Sequence, residues 1–130
     1  MIVVDASVLA PVLADDGPDG RVARARLAGE QLAAPEVIDL EVVSVVRGLA
    51  IAGKLGAARA DHAIEALAAL PIARASHRHL TRRCWELHHN LTPYDAAYVA
   101  LAEALEVPLV TADARLARAS GPQCAIELLS

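Results

Sequence analysis

The sequence predicts an α/β fold, with a short, mainly parallel sheet and helices on both faces. Three observations lead there. Ile2-Val3-Val4 and Leu109-Val110-Thr111 are short and almost wholly apolar, as central parallel strands are. Segments with helical spacing alternate with further strand-like runs at 32–34 and 72–75. Acids follow the strand-like runs closely, Asp5 after the first and Asp113 after Thr111-Ala112, where an open parallel sheet keeps its ligand.

Composition bounds the rest. A chain of 130 residues predicts one domain spanning 1–130, since domains commonly take about 100–200 residues. At that size roughly two-thirds of the unfolded surface is buried, so no disulfide or zinc staple is required. The chain is 55% hydrophobic with a mean hydropathy of +0.38, yet aromatics are 2% and phenylalanine is absent. The core is therefore built from Ala, Leu, Val and Ile, and so high an apolar share points to surface reserved for a partner. A net charge of −4 and a pI near 5.7 exclude a broadly basic nucleic-acid binder but not local contact with nucleic acid. Cys84 and Cys124 form no C-x-x-C pair, and Cys84 with His88 lacks a second pair to complete a zinc site. The N-terminus enters a strand directly and no apolar run reaches about 18 residues, so the expectation is a reduced, cytoplasmic protein without signal peptide or membrane span.

In chain order, Asp5 can cap a helix over 6–13, which the turn residues 15–20 end. A second helix is expected over 21–30, its arginines Arg21, Arg24 and Arg26 keeping the outer surface polar. After a strand at 32–34, stopped by Pro35, the most apolar helix runs over 36–52. Its apolar positions Val42, Val43, Val46, Leu49 and Ala50 spread too widely for one core-facing stripe, so part of it is expected to meet another protein. Gly53 and Gly56 break the chain before a helix over 57–70, and a strand follows at 72–75. Residues 77–89 read as a helix with Leu80, Cys84, Leu87 and Trp85 inward. A basic outer side carries Arg78, Arg82 and Arg83, with Arg74, His77 and His79 nearby. That side either tracks a phosphate backbone or is a solvated face with pairing such as Arg82 to Glu86. A helix from Thr92-Pro93 to about residue 105, a strand at 109–111, a short helix over 114–119 and a last strand over 125–129 complete the chain.

Four acids stand out. Taken alone, Asp95 reads as a capping acid, with Thr92 as N-cap and Pro93 at the first helical position. Its company changes that reading: Asp5 and Asp113 follow strands, and Glu41 sits inside the apolar helix beside Val37, Ser44, Val45 and Gly48. A partly enclosed Glu41 requires a metal, an arginine or a proton, whereas Asp39 and Glu36 are expected to be solvated. Carboxylates crowded together repel, and a bound cation relieves them.

V-V-D-A-S with Asp5 and Ser7, P-E-V-I-D-L-E-V with Glu41, T-P-Y-D-A-A-Y-V-A-L-A with Asp95 and L-V-T-A-D-A-R-L with Asp113 resemble the four motifs of PIN-domain ribonucleases. Length and motif wording resemble the VapC toxins of bacterial VapBC toxin–antitoxin pairs. The resemblance covers residues 2 to about 128. It implies a three-layer α/β/α PIN-like fold, an acidic pocket binding Mg²⁺ or Mn²⁺, and endonucleolytic cleavage of RNA. By the same likeness Asp5 and Asp95 match the principal metal ligands, Glu41 and Asp113 complete the pocket, and Ser7 and Thr111 match hydroxyl positions that support ligands or contact phosphate. The last motif offers one acid, so a second metal would be less firmly held. The resemblance also implies a cognate VapB-like antitoxin and favours a homodimer that assembles further with it; the apolar helix over 36–52 offers the antitoxin a place.

Oxygen-only donors suit Mg²⁺, which keeps several waters and takes one or two carboxylates plus substrate phosphates. The expected reaction is attack by a metal-activated water, leaving a 3′-hydroxyl and a 5′-phosphate. Arg115, two residues from Asp113, is the first choice for a phosphate contact. Other classes fit less well. A phosphotransferase would want a second acid two residues after Asp5, where Ser7 stands. A receiver-like Mg²⁺ domain would want a pocket lysine, and the single lysine is Lys54. A catalytically silent PIN-fold module binding RNA or protein differs from the enzyme by lacking metal-dependent cleavage.

Overall fold

The computed structural model describes residues 1–130. Five strands, β1 (Ile2–Val4), β2 (Leu32–Pro35), β3 (Ile72–Ala75), β4 (Leu109–Thr111) and β5 (Ile126–Leu128), form one wholly parallel sheet in the order β3-β2-β1-β4-β5. The chain steps outward from β1 through β2 to β3, then returns to pair β4 on the other side of β1. Right-handed crossovers put the helices of the two legs on opposite faces. On the first leg, α1 (Ala6–Ala14) packs against α2 (Pro18–Leu27), α3 (Ile38–Ile51) and α4 (Ala57–Ala69). On the second, α6 (Pro93–Leu105) lies across β1, β2 and β4 with the short α5 (Thr81–Glu86) against it, and α7 (Ala114–Arg118) packs on β4 and β5. The predicted three-layer α/β/α architecture is the observed one. Strand order reverses between β1 and β4, and the carboxyl ends of that pair are where an open parallel sheet keeps its ligand.

The core is aliphatic, as the composition requires: Val3, Val4, Leu109 and Val110 of the central strands are fully buried, with Leu9, Ile38, Val42, Val99 and Leu116 from the helices. Tyr98 is the one aromatic ring in it, 1% exposed. Both cysteines are free and partly buried. No helix is long and apolar enough to cross a membrane.

Several elements differ from expectation. The turn is shorter than residues 15–20, because Pro18 and Asp19 begin α2 three residues before position 21. Proline suits the first helical position, and an acid in the first turn complements the helix dipole. Gly20 is a packing residue rather than a turn residue: a Cβ there would lie 1.8 Å from the Asp15 carbonyl oxygen. Arg24 is not simply a surface charge, since its Nη1 donates to the carbonyls of Val12 (3.1 Å) and Asp15 (2.9 Å) at the end of α1. Residues 77–89 form no single helix; a 3₁₀ turn at Arg78–Leu80 precedes α5, and turns follow it.

Within that segment Leu87 is buried and Leu80 and Cys84 are partly so, but Trp85 points outward, 63% exposed. Arg82 makes no ion pair with Glu86; Arg83 does (3.4 Å), and also grips Glu103 of α6 (2.7 Å). Arg74 reaches Asp39 at 2.8 Å, so Asp39 is half-buried and paired rather than solvated. On α3, Ile38, Val42 and Val46 form a single inward stripe, while Leu40, Val43, Val45 and Ile51 face solvent.

Candidate active site

Asp5 follows the last residue of β1 and occupies the N-cap position of α1, with extended backbone. It is 6% exposed, yet its side chain makes no capping bond to the helix. It turns across the sheet instead. Oδ1 accepts the Ser7 hydroxyl and Oδ2 the Thr111 hydroxyl, both at 2.6 Å. Those hydroxyls are themselves held by the backbone after β4: the Ala112 N–H donates to Ser7 Oγ (2.8 Å) and the Asp113 N–H to Thr111 Oγ1 (3.0 Å). Two hydroxyls thus lace the carboxyl ends of β1 and β4 together and fix both oxygens of Asp5.

Asp113 is the N-cap of α7, its Oδ1 accepting the amides of Arg115 (2.9 Å) and Leu116 (3.4 Å). Arg115 is close, with Nε 3.8 Å from that oxygen, but its side chain is 87% exposed. Asp95 stands half-buried in the first turn of α6, where its N–H donates to the N-cap Thr92 hydroxyl (3.2 Å). No reciprocal bond returns from its carboxylate to the Thr92 amide, so the full capping box is not formed.

The electrostatics bring these acids into one neighbourhood. Burial pushes the Asp5 carboxyl above its ordinary range; the Ser7 and Thr111 hydrogen bonds pull back, and the Asp95 charge pushes up again. Asp95 is raised by burial and then by Asp113, with Thr92 and Arg115 opposing. Neither Asp5 nor Asp95 has an ion-pair partner.

Glu41 joins through a residue that sequence reasoning did not assign to the site. The buried Tyr98 hydroxyl donates to Glu41 Oε1, so the enclosed carboxylate has a phenol where a metal, an arginine or a proton was expected. The Tyr98 phenol is pushed far up by burial, then by Glu41, Asp5 and Asp95. A signal was present: Tyr98 lies one helical turn from Asp95, and a buried tyrosine hydroxyl requires a partner. The rest of the expected Glu41 face is open, because Ser44, Val45 and Gly48 are exposed.

As they stand, no three acidic side chains close into a cage that would grip an ion by themselves. The donor set still fits a hard divalent cation. It is all oxygen and partly desolvated, and the Asp5 and Asp95 carboxyls are both raised by burial and by a neighbouring acid, which a cation reverses.

A PIN domain family model matches residues 2–122. Ribonuclease VapC9 of Mycobacterium tuberculosis is 43% identical over 129 residues, covering 99% of this chain and 98% of that one. Ribonuclease VapC1 of the same species is 41% identical over 128 residues, covering 98% and 96%. Among solved structures, PAE2754 from Pyrobaculum aerophilum superposes with a TM-score of 0.70 at 25% identity, over 97% of this chain and 82% of that one. Mycobacterium tuberculosis VapC20, described as a sarcin-ricin loop cleaving toxin, does so with a TM-score of 0.69, over 90% and 93%. At 16% identity, that second likeness concerns the fold.

Proposed function

Since the chain belongs to the PIN-domain family, and within it to the VapC ribonucleases, we propose that it is a metal-dependent endoribonuclease, the toxin of a toxin–antitoxin pair. The observation that carries this reading is a buried Asp5, held by hydroxyls rather than by a cation and sharing its crevice with Asp95. Asp5 and Asp95 would be the principal ligands of Mg²⁺ or Mn²⁺, with Glu41 and Asp113 completing the pocket. Such an ion, when bound, lowers the pKa of water and offsets charge on a scissile phosphate.

The chain's own residues do the rest. Ser7 and Thr111 hold Asp5 in one orientation, each hydroxyl taking one of its oxygens and leaving further lone pairs for an ion. Tyr98 holds Glu41 by one hydrogen bond to Oε1. Arg115, exposed beside Asp113, is free to reach a substrate phosphate. No histidine is hydrogen-bonded to these acids, which favours hydrolysis by water over attack by a 2′-hydroxyl. The P–O3′ bond then breaks, giving a 3′-hydroxyl and a 5′-phosphate.

The outward apolar residues of α3, Leu40 and Ile51 above all, offer surface to an antitoxin or to a second copy. An antitoxin arginine or lysine entering the acidic crevice would inhibit by charge. We take residues 1–130 as one domain acting in the cytoplasm, as a homodimer with its antitoxin.

The test is EDTA-stripped protein with end-labelled RNA, with and without Mg²⁺ or Mn²⁺, beside Asp95→Asn and Glu41→Gln. The expected result is discrete, metal-dependent cleavage, lowered about 10²–10³-fold or more in each variant, as for removal of one electrostatic group from an active site. Cyclic phosphate ends would refute hydrolysis by water. RNA binding without cleavage under either metal would establish the silent-module reading instead.

A further inference from the structure

Aromatic rings are scarce in this chain, and their placement is uneven. Of Trp85, Tyr94 and Tyr98, the last is in the core, and the other two are exposed and line one groove of about 400 Å³. That volume falls within the roughly 300–1,000 Å³ common for small-ligand sites. His77, Thr81 and His88 line the same groove. Trp85 and His88 stack with ring centroids 4.0 Å apart and planes 8° from parallel, and His89 lies beyond His88 at 4.0 Å, its ring tilted by 36°. The His88 Nδ1–H donates to the Trp85 carbonyl oxygen, which fixes the imidazole in that stack. A mostly exposed tryptophan held by an ordered histidine is a platform rather than a packing residue.

The groove adjoins the acids. Tyr94 precedes Asp95, and Ala97 lines the groove while its neighbour Tyr98 bonds Glu41. Val37 lines it one turn before Glu41 on α3. The charge is also complementary to nucleic acid. Arg78 and Arg82 are exposed and unpaired on the segment that forms the groove wall, and four of the five histidines lie there.

We propose that this groove is a base-stacking subsite for single-stranded RNA, with a nucleobase on the Trp85–His88 platform while the strand runs on to the acid crevice. The proposal rests on the endoribonuclease reading. Unpaired bases stack on aromatic side chains whatever their identity, and the neighbouring cations follow the backbone.

Trp85 is the single tryptophan, so its fluorescence reports the groove directly. The 130-residue protein in EDTA is titrated with a single-stranded RNA oligonucleotide and with an abasic oligomer of equal length and charge. Base-bearing RNA quenches Trp85 saturably and the abasic oligomer does not. Trp85→Ala weakens binding of base-bearing RNA about tenfold, and Trp85→Phe restores most of it. Equal quenching by both oligomers, no quenching by base-bearing RNA, or unchanged affinity in Trp85→Ala overturns the subsite. So does a Trp85→Ala variant whose oligomeric size changes while RNA affinity does not, which assigns the groove to a second copy. Cleavage with Mg²⁺ separates the two readings. Metal-dependent cleavage with KM unaltered in Trp85→Ala overturns the subsite and leaves the nuclease standing. Base-dependent quenching without cleavage under Mg²⁺ or Mn²⁺ supports the subsite and overturns the nuclease.

Discussion

Glu103 and Asp5 are both carboxylates drawn out of solvent, and the fold treats them in opposite ways. Glu103, on α6, is clamped by the Arg83 guanidinium through Nε (2.7 Å) and Nη2 (3.1 Å) and accepts the Gln123 amide at 2.7 Å. Arg83 also donates to the Gly121 carbonyl, so one ion pair ties α5, α6 and the loop before β5 together. The guanidinium holds Glu103 below the ordinary carboxylate range. Asp5 is held as firmly, but by two neutral hydroxyls, and burial keeps its pKa high. Hydroxyls fix orientation without cancelling charge. Elsewhere Arg26 takes Glu30 and Glu127, Arg59 takes Asp16, and Arg74 takes Asp39. Between β1 and β4, by contrast, Asp5 is positioned by hydroxyls and has no cationic side chain paired with it.

Removing a hydroxyl gives the largest effect that separates the two regions. Thr111→Val keeps the shape but deletes the bond to Asp5 Oδ2 and the acceptor for the Asp113 amide. Losses of about 10–100-fold in cleavage or metal affinity are expected, as for other groups that orient metal ligands. Because the Thr111 bond lowers the Asp5 pKa, its loss raises that pKa, and the acid limb of the pH–rate profile moves to higher pH. An unmoved limb would show that the hydroxyl does not tune Asp5.

Arg83→Ala is expected to act on the other region. It leaves Glu103 half-enclosed without its cation, at a cost of about 1.5–3 kcal/mol, the range for hydrogen bonds to charged groups. Denaturant unfolding measures this. Per-molecule cleavage by the folded fraction stays near wild type, and a collapse in cleavage at full folding would refute the separation.

The smallest effect runs against the usual direction. The Asp95 pKa is raised in the folded state by burial and by Asp113, so its ionisation weakens folding. That contribution favours folding most below the unfolded-state pKa and is lost as pH rises through the folded-state pKa. At neutral pH, without divalent metal, Asp95→Asn is therefore more stable than wild type by up to about 1 kcal/mol, solvent screening at this half-buried site holding the gain down. The advantage fades on acidification through the carboxylate range and narrows when Mn²⁺ binds wild type. Calorimetric melting at pH 7 and pH 4, with and without Mn²⁺, checks each part. A variant less stable than wild type in EDTA at pH 7 would show that Asp95 is a structural acid like Glu103.

Much of this was legible in one dimension. Short runs marked four of the five strands nearly to the residue and the fifth within one residue at each end; for the inner strands β1, β2 and β4 this is because a central parallel strand buries both faces. Thr92-Pro93 marked the start of α6, because cap chemistry is local. The positions of Asp5 and Asp113 just past strands followed from the same runs. Less legible were features that depend on a second element. Gly20 read as a turn residue because the close approach of α1 does not show in its neighbours. Trp85 read as inward because helical spacing assumed a regular helix where the chain makes a 3₁₀ turn, six α-helical residues and turns.

The order of strands and helices, the parallel sheet and the strand-end placement of acids follow from local pattern, since periodicity, caps and turn residues act within a few positions. Which acids meet a cationic side chain and which meet a hydroxyl is settled by packing across the sheet. Tyr98 finds Glu41 across 57 residues, Thr111 finds Asp5 across 106, and Arg74 takes Asp39 across 35. Such partners are chosen by how helices and strands pack across the sheet, and local spacing carries no record of that choice.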